Sequence, residues 1–195
     1  MNYILSTTYN SNGLIKYLNH ISTDYKLFLR GVHLEREEVN LNFSVIEDIS
    51  KEKLLKFPII ESSGPILINK TIKEILEKET SFVQFFPVTL SIGNESISDF
   101  YAINIMAKIK CIDMNLSEFK PINFDVNNPQ YMFYYIVLMD NPLNNLKITI
   151  CKEMSRYIVI NDDIKNNLIE NKIRGLKFCT SIDLTPKERT ICEEI

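Results

Sequence analysis

The chain has 195 residues, 45% hydrophobic and 24% charged, with 22 Lys and Arg against 25 Asp and Glu for a formal net charge of −3. That length supports a substantial core, and the balance excludes a disordered chain or a coiled coil. The acidic excess argues against nucleic acid as the main partner, because phosphate binding needs clustered cations.

In chain order, Asn2 to Thr8 reads as an opening strand and Asn10 to Gly13 as a turn cluster. Leu14 to Ile21 reads as a brief helix, and Tyr25 to Val32 as a strand. In Val39 to Val45, apolar Val39, Leu41, Phe43 and Val45 alternate with Asn40, Asn42 and Ser44, which predicts a strand with one buried face. Ser50 to Phe57 reads as a capped helix ended by Pro58. The punctuation Ser62-Ser63-Gly64-Pro65 is the best boundary the chain offers. The expected organisation is therefore one domain, 1–195, with an N-terminal subregion 1–61 and a main region 62–195.

Pro65 to Phe86 and Arg156 to Phe178 read as two versions of one unit. Aligning Ile66-Leu67-Ile68-Asn69 with Ile158-Val159-Ile160-Asn161 sets an offset of 92 residues, at which Ile72, Lys73 and Leu76 meet Ile164, Lys165 and Leu168. Each copy predicts a short strand, an Asn cap, an amphipathic helix and an aromatic-bearing strand, with Phe86 meeting Phe178. Asp162 and Asp163 fit the first turn of the second helix, where the dipole favours negative charge, better than a metal or acid/base pair.

Between the copies, Ser98 to Asp113 alternates as one long, half-covered strand whose apolar face is Tyr101, Ile103, Ile105, Ala107, Ile109 and Cys111. Pro129 to Met139 and Leu146 to Cys151 read as further strands. Tyr131, Phe133 and Tyr135 share one face, which without a basic groove suits core packing or a partner better than base stacking. Thr185-Pro186-Lys187-Glu188 has the form of a capping box opening a last short helix.

Chemistry is sparse. His33-Leu34-Glu35-Arg36-Glu37-Glu38 lacks the second histidine of a zinc-protease helix, and no nucleophile elbow or phosphate-cradling glycine loop occurs. Cys111, Cys151, Cys179 and Cys192 form no CxxC pair and are expected reduced, the first three as buried thiols in strands. No catalytic residue, metal site or cofactor is expected. The longest apolar run, Tyr131 to Met139, is nine residues, half the roughly 18 that mark a membrane span. The N-terminal MNYILSTTYNSNG lacks the basic and apolar regions of a signal peptide, so a cytoplasmic protein is expected.

Phe86-Pro87, then Asp99-Phe100-Tyr101 with Asn104, then Cys111, Asp113 and Ser117, resemble the central signature of immunity protein family eleven of bacterial polymorphic toxin systems, formerly a domain of unknown function. Tyr157-Ile158-Val159-Ile160-Asn161 with Gly175-Leu176-Lys177-Phe178 resembles its closing motif. The likeness covers roughly 58–181. It departs at Ile148 to Lys152, where the family's Phe-Arg pair is missing and Lys152 stands in place of the Arg.

The resemblance implies a non-enzymatic role: a cytoplasmic antidote that binds a cognate toxin domain and blocks it. From the residues themselves, the expected fold class is α+β, a mixed and largely antiparallel sheet with helices of two related strand-helix-strand units packed on it. The expected partner is the cognate toxin, not nucleic acid or membrane, with self-association left open. For a basic toxin, the acidic run offers Glu35, Glu37 and Glu38 as partner-binding residues. A structural or regulatory scaffold is the alternative reading, and an unrecognised enzyme the third.

Overall fold

The computed structural model describes residues 1–9, 13–123 and 130–195. Asn10, Ser11 and Asn12 of the expected turn cluster and Pro129 of an expected strand lie outside the described residues. In chain order the strands are β1 (Asn2–Thr7), β2 (Ile15–Tyr17), β3 (Asn42–Val45), β4 (Ile59–Ile60), β5 (Leu67–Asn69), β6 (Val83–Pro87), β7 (Thr89–Ile92) and β8 (Glu95–Ile97). They continue as β9 (Phe100–Ile105), β10 (Lys108–Ile109), β11 (Glu118–Pro121), β12 (Tyr131–Val137), β13 (Ile148–Cys151), β14 (Ile158–Asn161), β15 (Leu176–Asp183) and β16 (Ile191–Glu194). The α-helices are α1 (Lys51–Leu54), α2 (Lys70–Glu79) and α3 (Asp162–Glu170).

The expected α+β class does not hold. The fold is β-rich, 38% strand against 18% helix, and among the described residues its strands form three sheets. The largest has the order β10-β13-β14-β1-β15-β12-β11 with β16 beside β15; the others are β2-β3-β7-β8 and β4-β5-β9-β6. Of the segments expected to be helical, one is replaced by a strand and one is a shorter helix than expected. Ile15 and Tyr17 are buried on either side of exposed Lys16 and pair as β2 with β3, and Ser50 caps a single turn, α1. Tyr25–Leu29, expected as a strand, is a 3-10 helix.

Thr185 opens no helix. Its hydroxyl accepts from Lys187 N, while the Asp183 carboxylate takes Thr185 N and Arg189 N, so local side-chain bonds close a turn between β15 and β16.

The repeated segments take related forms. β5 and β6 both pair antiparallel with β9, so they run parallel to each other with β9 between them. β14 and β15 do the same around β1. In each unit the strands are joined by a helix capped as its sequence demands: Asn69 Oδ1 accepts from Ile72 N at 2.9 Å and Asn161 Oδ1 from Ile164 N at 3.1 Å. The ungapped alignment slips after the helices. Phe178 packs in the core beneath α2 and α3 together with Phe85, whereas Phe86 faces the opposite side of its sheet. The second copy thus carries one more residue between helix and strand, and a one-residue shift reverses a strand's faces.

Both main sheets are covered on both faces. Ile68, Phe85, Ile103 and Ile105 join the helix-side core with Tyr3, Leu5, Ile160, Ile164, Leu168 and Phe178. Leu67, Phe86, Phe100 and Ala102 point the other way, into a second core with Tyr17, Phe28, Phe43 and Leu90. The strand at Ser98 to Asp113 is therefore neither half-covered nor continuous. It is buried on both faces as β9 and breaks after Ile105, and β10 joins the large sheet parallel to β13.

The far side of the large sheet holds a third core, with Ile4, Val159, Phe133 and Ile136. All four cysteines lie in or against it. Cys179 and Cys192 face each other across β15 and β16 and form a disulfide, which corrects the expectation of four thiols. Directly opposed cross-strand positions bring two Cβ atoms together, a proximity that residue spacing does not reveal. Cys111 and Cys151 are free and buried. Among the described residues no helix is long and apolar enough to cross a membrane.

Candidate functional site

Glu35, Glu37 and Glu38 are all exposed, on and just before the 3-10 turn Arg36–Glu38. Glu35 and Glu38 line one shallow depression of about 250 Å³ whose walls include Leu27, Val32, Leu34 and Val39; Glu37 is not part of it. His33 Nε2 lies 3.9 Å from Glu35 Oε1. Apolar walls with carboxylates at the rim suit a side chain that has a hydrocarbon stem and a cationic head.

What fixes this loop is a pair of buried amides. Gln84 on β6 and Asn104 on β9 are cross-strand partners, 8% and 0% exposed. Gln84 behaves as a surrogate strand for Leu34: its Oε1 accepts from Leu34 N and its Nε2 donates to Leu34 O, both at 2.9 Å. Asn104 Nδ2 donates to Val32 O at 2.9 Å and to Gln84 Oε1 at 2.8 Å. Polar groups so deeply buried are tolerated because they are bonded, although among the described residues Asn104 Oδ1 has no partner. The sequence marked Asn104 only as an element of the central motif, and Gln84 not at all. The available signal was a polar residue at a core-facing position on each of two adjacent strands.

A larger cleft of about 880 Å³ lies where the N-terminal strands approach the β13–β14 turn. Buried Phe28, Ile103, Ile105 and Ile150 form its floor, and exposed Lys16 and Arg156 stand at its mouth. The helix Tyr25–Leu29 separates the two hollows, with Tyr25, Phe28 and Leu29 on the cleft and Leu27 on the acidic depression.

The other sequence candidates have structural partners. Asp162 accepts from the Tyr3 hydroxyl at 3.0 Å, and Asp163 from Asn161 Nδ2 at 3.2 Å, so the two carboxylates serve different neighbours. Tyr131 and Phe133 pack with Phe119, while Tyr135 lies under the Arg189 guanidinium, 4.2 Å from the ring centre. Arg189 also bonds Asp183 at 2.7 Å and grips both oxygens of Glu118. That grip holds Asp183 and Glu118 below the usual carboxylate range. Lys152 is exposed, and its backbone N–H bonds Ile109 O at 2.7 Å. Burial, followed by the charge of Lys152, lowers the pKa of Lys108, whose ammonium donates to Leu29 O at 2.8 Å. Among the described residues no three His, Cys, Asp or Glu side chains are grouped to hold a metal ion.

A family model described as "Immunity protein family (Imm11)" matches residues 10–181. No curated protein matches the sequence.

Proposed function

The protein belongs to the Imm11 immunity protein family, and on that footing we propose that it is a bacterial antidote that binds a cognate toxin domain and neutralises it in the cytoplasm, within a polymorphic toxin system and without catalysis of its own. The family match across residues 10–181 carries this reading. In this reading the complex forms between two folded proteins and the toxin's active site is covered or distorted by contact alone.

In this reading the first contacts form at the acidic loop. Glu35 and Glu38 at the rim of the depression, with Glu37 beside them, attract a basic face of the toxin, and the depression takes one Lys or Arg side chain. The Gln84 and Asn104 clamp supports this arrangement, because a loop held in shape before binding loses less entropy on binding.

The test is co-expression with the toxin encoded by the adjacent gene. Survival of cells carrying both genes, arrest of cells carrying the toxin alone, and recovery of the two proteins together are the expected results. Toxicity undiminished by the chain, with no complex recovered, would refute the reading.

A further inference from the structure

The cleft between the N-terminal strands and the β13–β14 turn has a chemistry unlike that of the acidic loop. Its volume, about 880 Å³, falls within the range of small-molecule sites, roughly 300–1,000 Å³. Its floor is aliphatic and aromatic, from side chains of two different cores: Phe28 belongs to one, and Ile103, Ile105 and Ile150 to the other. Such a meeting point leaves room that neither core fills.

The mouth is cationic. Among the described residues, Lys16, Arg156 and Glu61 are the charged residues lining the cleft, two cations against one carboxylate. Among the described residues neither Lys16 nor Arg156 forms an ion pair. The Arg156 guanidinium lies 5.0 Å from the Tyr157 ring centre and Nη2 donates to the Tyr157 hydroxyl at 3.2 Å. That contact restricts the side chain, and among the described residues the remaining N–H donors are unused, the arrangement that suits a carboxylate. Ser155 adds a hydroxyl beside it.

We infer that this cleft binds an anionic amphiphile, an acyl carboxylate whose hydrocarbon chain lies on Phe28, Ile103, Ile105 and Ile150 and whose carboxylate meets Arg156 and Lys16. The site is independent of the toxin-binding reading, since none of Glu35, Glu37 and Glu38 lines it.

The experiment uses the intact chain and the fluorescent anionic probe 8-anilinonaphthalene-1-sulfonate. Saturable fluorescence enhancement is expected, with decanoate displacing the probe at about tenfold or more lower concentration than decanol, the difference a charge-assisted hydrogen bond makes. The doubly substituted Lys16→Glu, Arg156→Glu chain is expected to lose decanoate binding by at least about tenfold while melting as the parent does, since both side chains are exposed. Arg156→Lys alone is expected to weaken decanoate less than Arg156→Glu. Absence of saturable binding, equal displacement by decanol and decanoate, or undiminished binding by the double variant would each overturn the assignment.

Discussion

Gln84 and Asn104 face each other across β6 and β9, and between them they bind the backbone of Val32 and Leu34 as a strand would. The acidic loop is thus attached to the protein's interior through two side-chain amides. Asn104→Leu keeps the volume but leaves Val32 O without its donor, while Gln84 Oε1 keeps only its bond from Leu34 N. Orphaned buried groups cost about 1–3 kcal/mol each. The variant should lose that much in urea unfolding, with faster amide exchange at Leu34. Unchanged stability and protection would show that the loop is held by something else.

Gly175 is strained toward glycine alone. Its φ is +83°, and a Cβ there would clash with the Tyr9 ring; that ring packs at a tilt on Phe57, centroids 4.6 Å apart, and the Gly175 carbonyl accepts from Thr8 N and Thr7 Oγ1. Gly175→Ala should destabilise by at least about 1–2 kcal/mol from the backbone alone. In a Tyr9→Ala background Gly175→Ala should cost only the backbone part, so an equal cost in the two backgrounds would contradict the steric explanation.

The cysteines give a counting experiment. Native protein should react slowly with a thiol reagent, because Cys111 and Cys151 are buried and hydrogen bonding and burial push the Cys151 thiol up. Denatured without reductant it should show two thiols, and with reductant four, as the sequence has four Cys and one disulfide joins two of them. The sequence separation of 13 sets a loop whose opening should cost about 3 kcal/mol. A reducing cytoplasm would open the bond, yet β16 would keep its ladder with β15 and the ion pairs Lys165–Glu193 and Lys177–Glu194. The reduced protein should therefore stay folded with a lower melting temperature.

Acid should unfold the protein partly through Arg189. Asp183 and Glu118 have folded-state pKa values depressed chiefly by hydrogen bonds from Arg189. A depressed carboxylate stabilises the fold above its unfolded pKa, and that contribution is lost as pH falls from there through the folded value. Stability should decline below about pH 4, the ordinary carboxylate range, and Arg189→Met should flatten that decline. An acid limb identical in the two proteins would remove Arg189 from the explanation.

The two helix caps were legible because capping is local: Asn69 and Asn161 need only the three residues that follow them. The fold class was not, because strand pairing joins distant segments. Alternation in Phe100–Ile105 shows two faces, and nothing within the segment says that a core covers each of them. The same limit applies to Thr185, where a capping pattern lost to Asp183 and Arg189, and to Cys179 and Cys192, which meet only once β16 is laid against β15. Of the acidic loop, the sequence marked the carboxylates as charges. Their place on the rim of a depression, and the buried amides holding them, depend on β6 and β9 lying together.

Toxin binding, as proposed, is decided by mixing the purified chain with the product of the neighbouring gene and following association kinetically at low and high salt. A stable complex is predicted. Replacing Glu35 and Glu38 by Lys should slow association at low ionic strength, and the difference should shrink at about 1 M salt, where the screening length is about 3 Å. No complex at either salt concentration would contradict the account. Association unchanged by the charge reversal would leave the family role standing and remove the acidic loop as its docking surface.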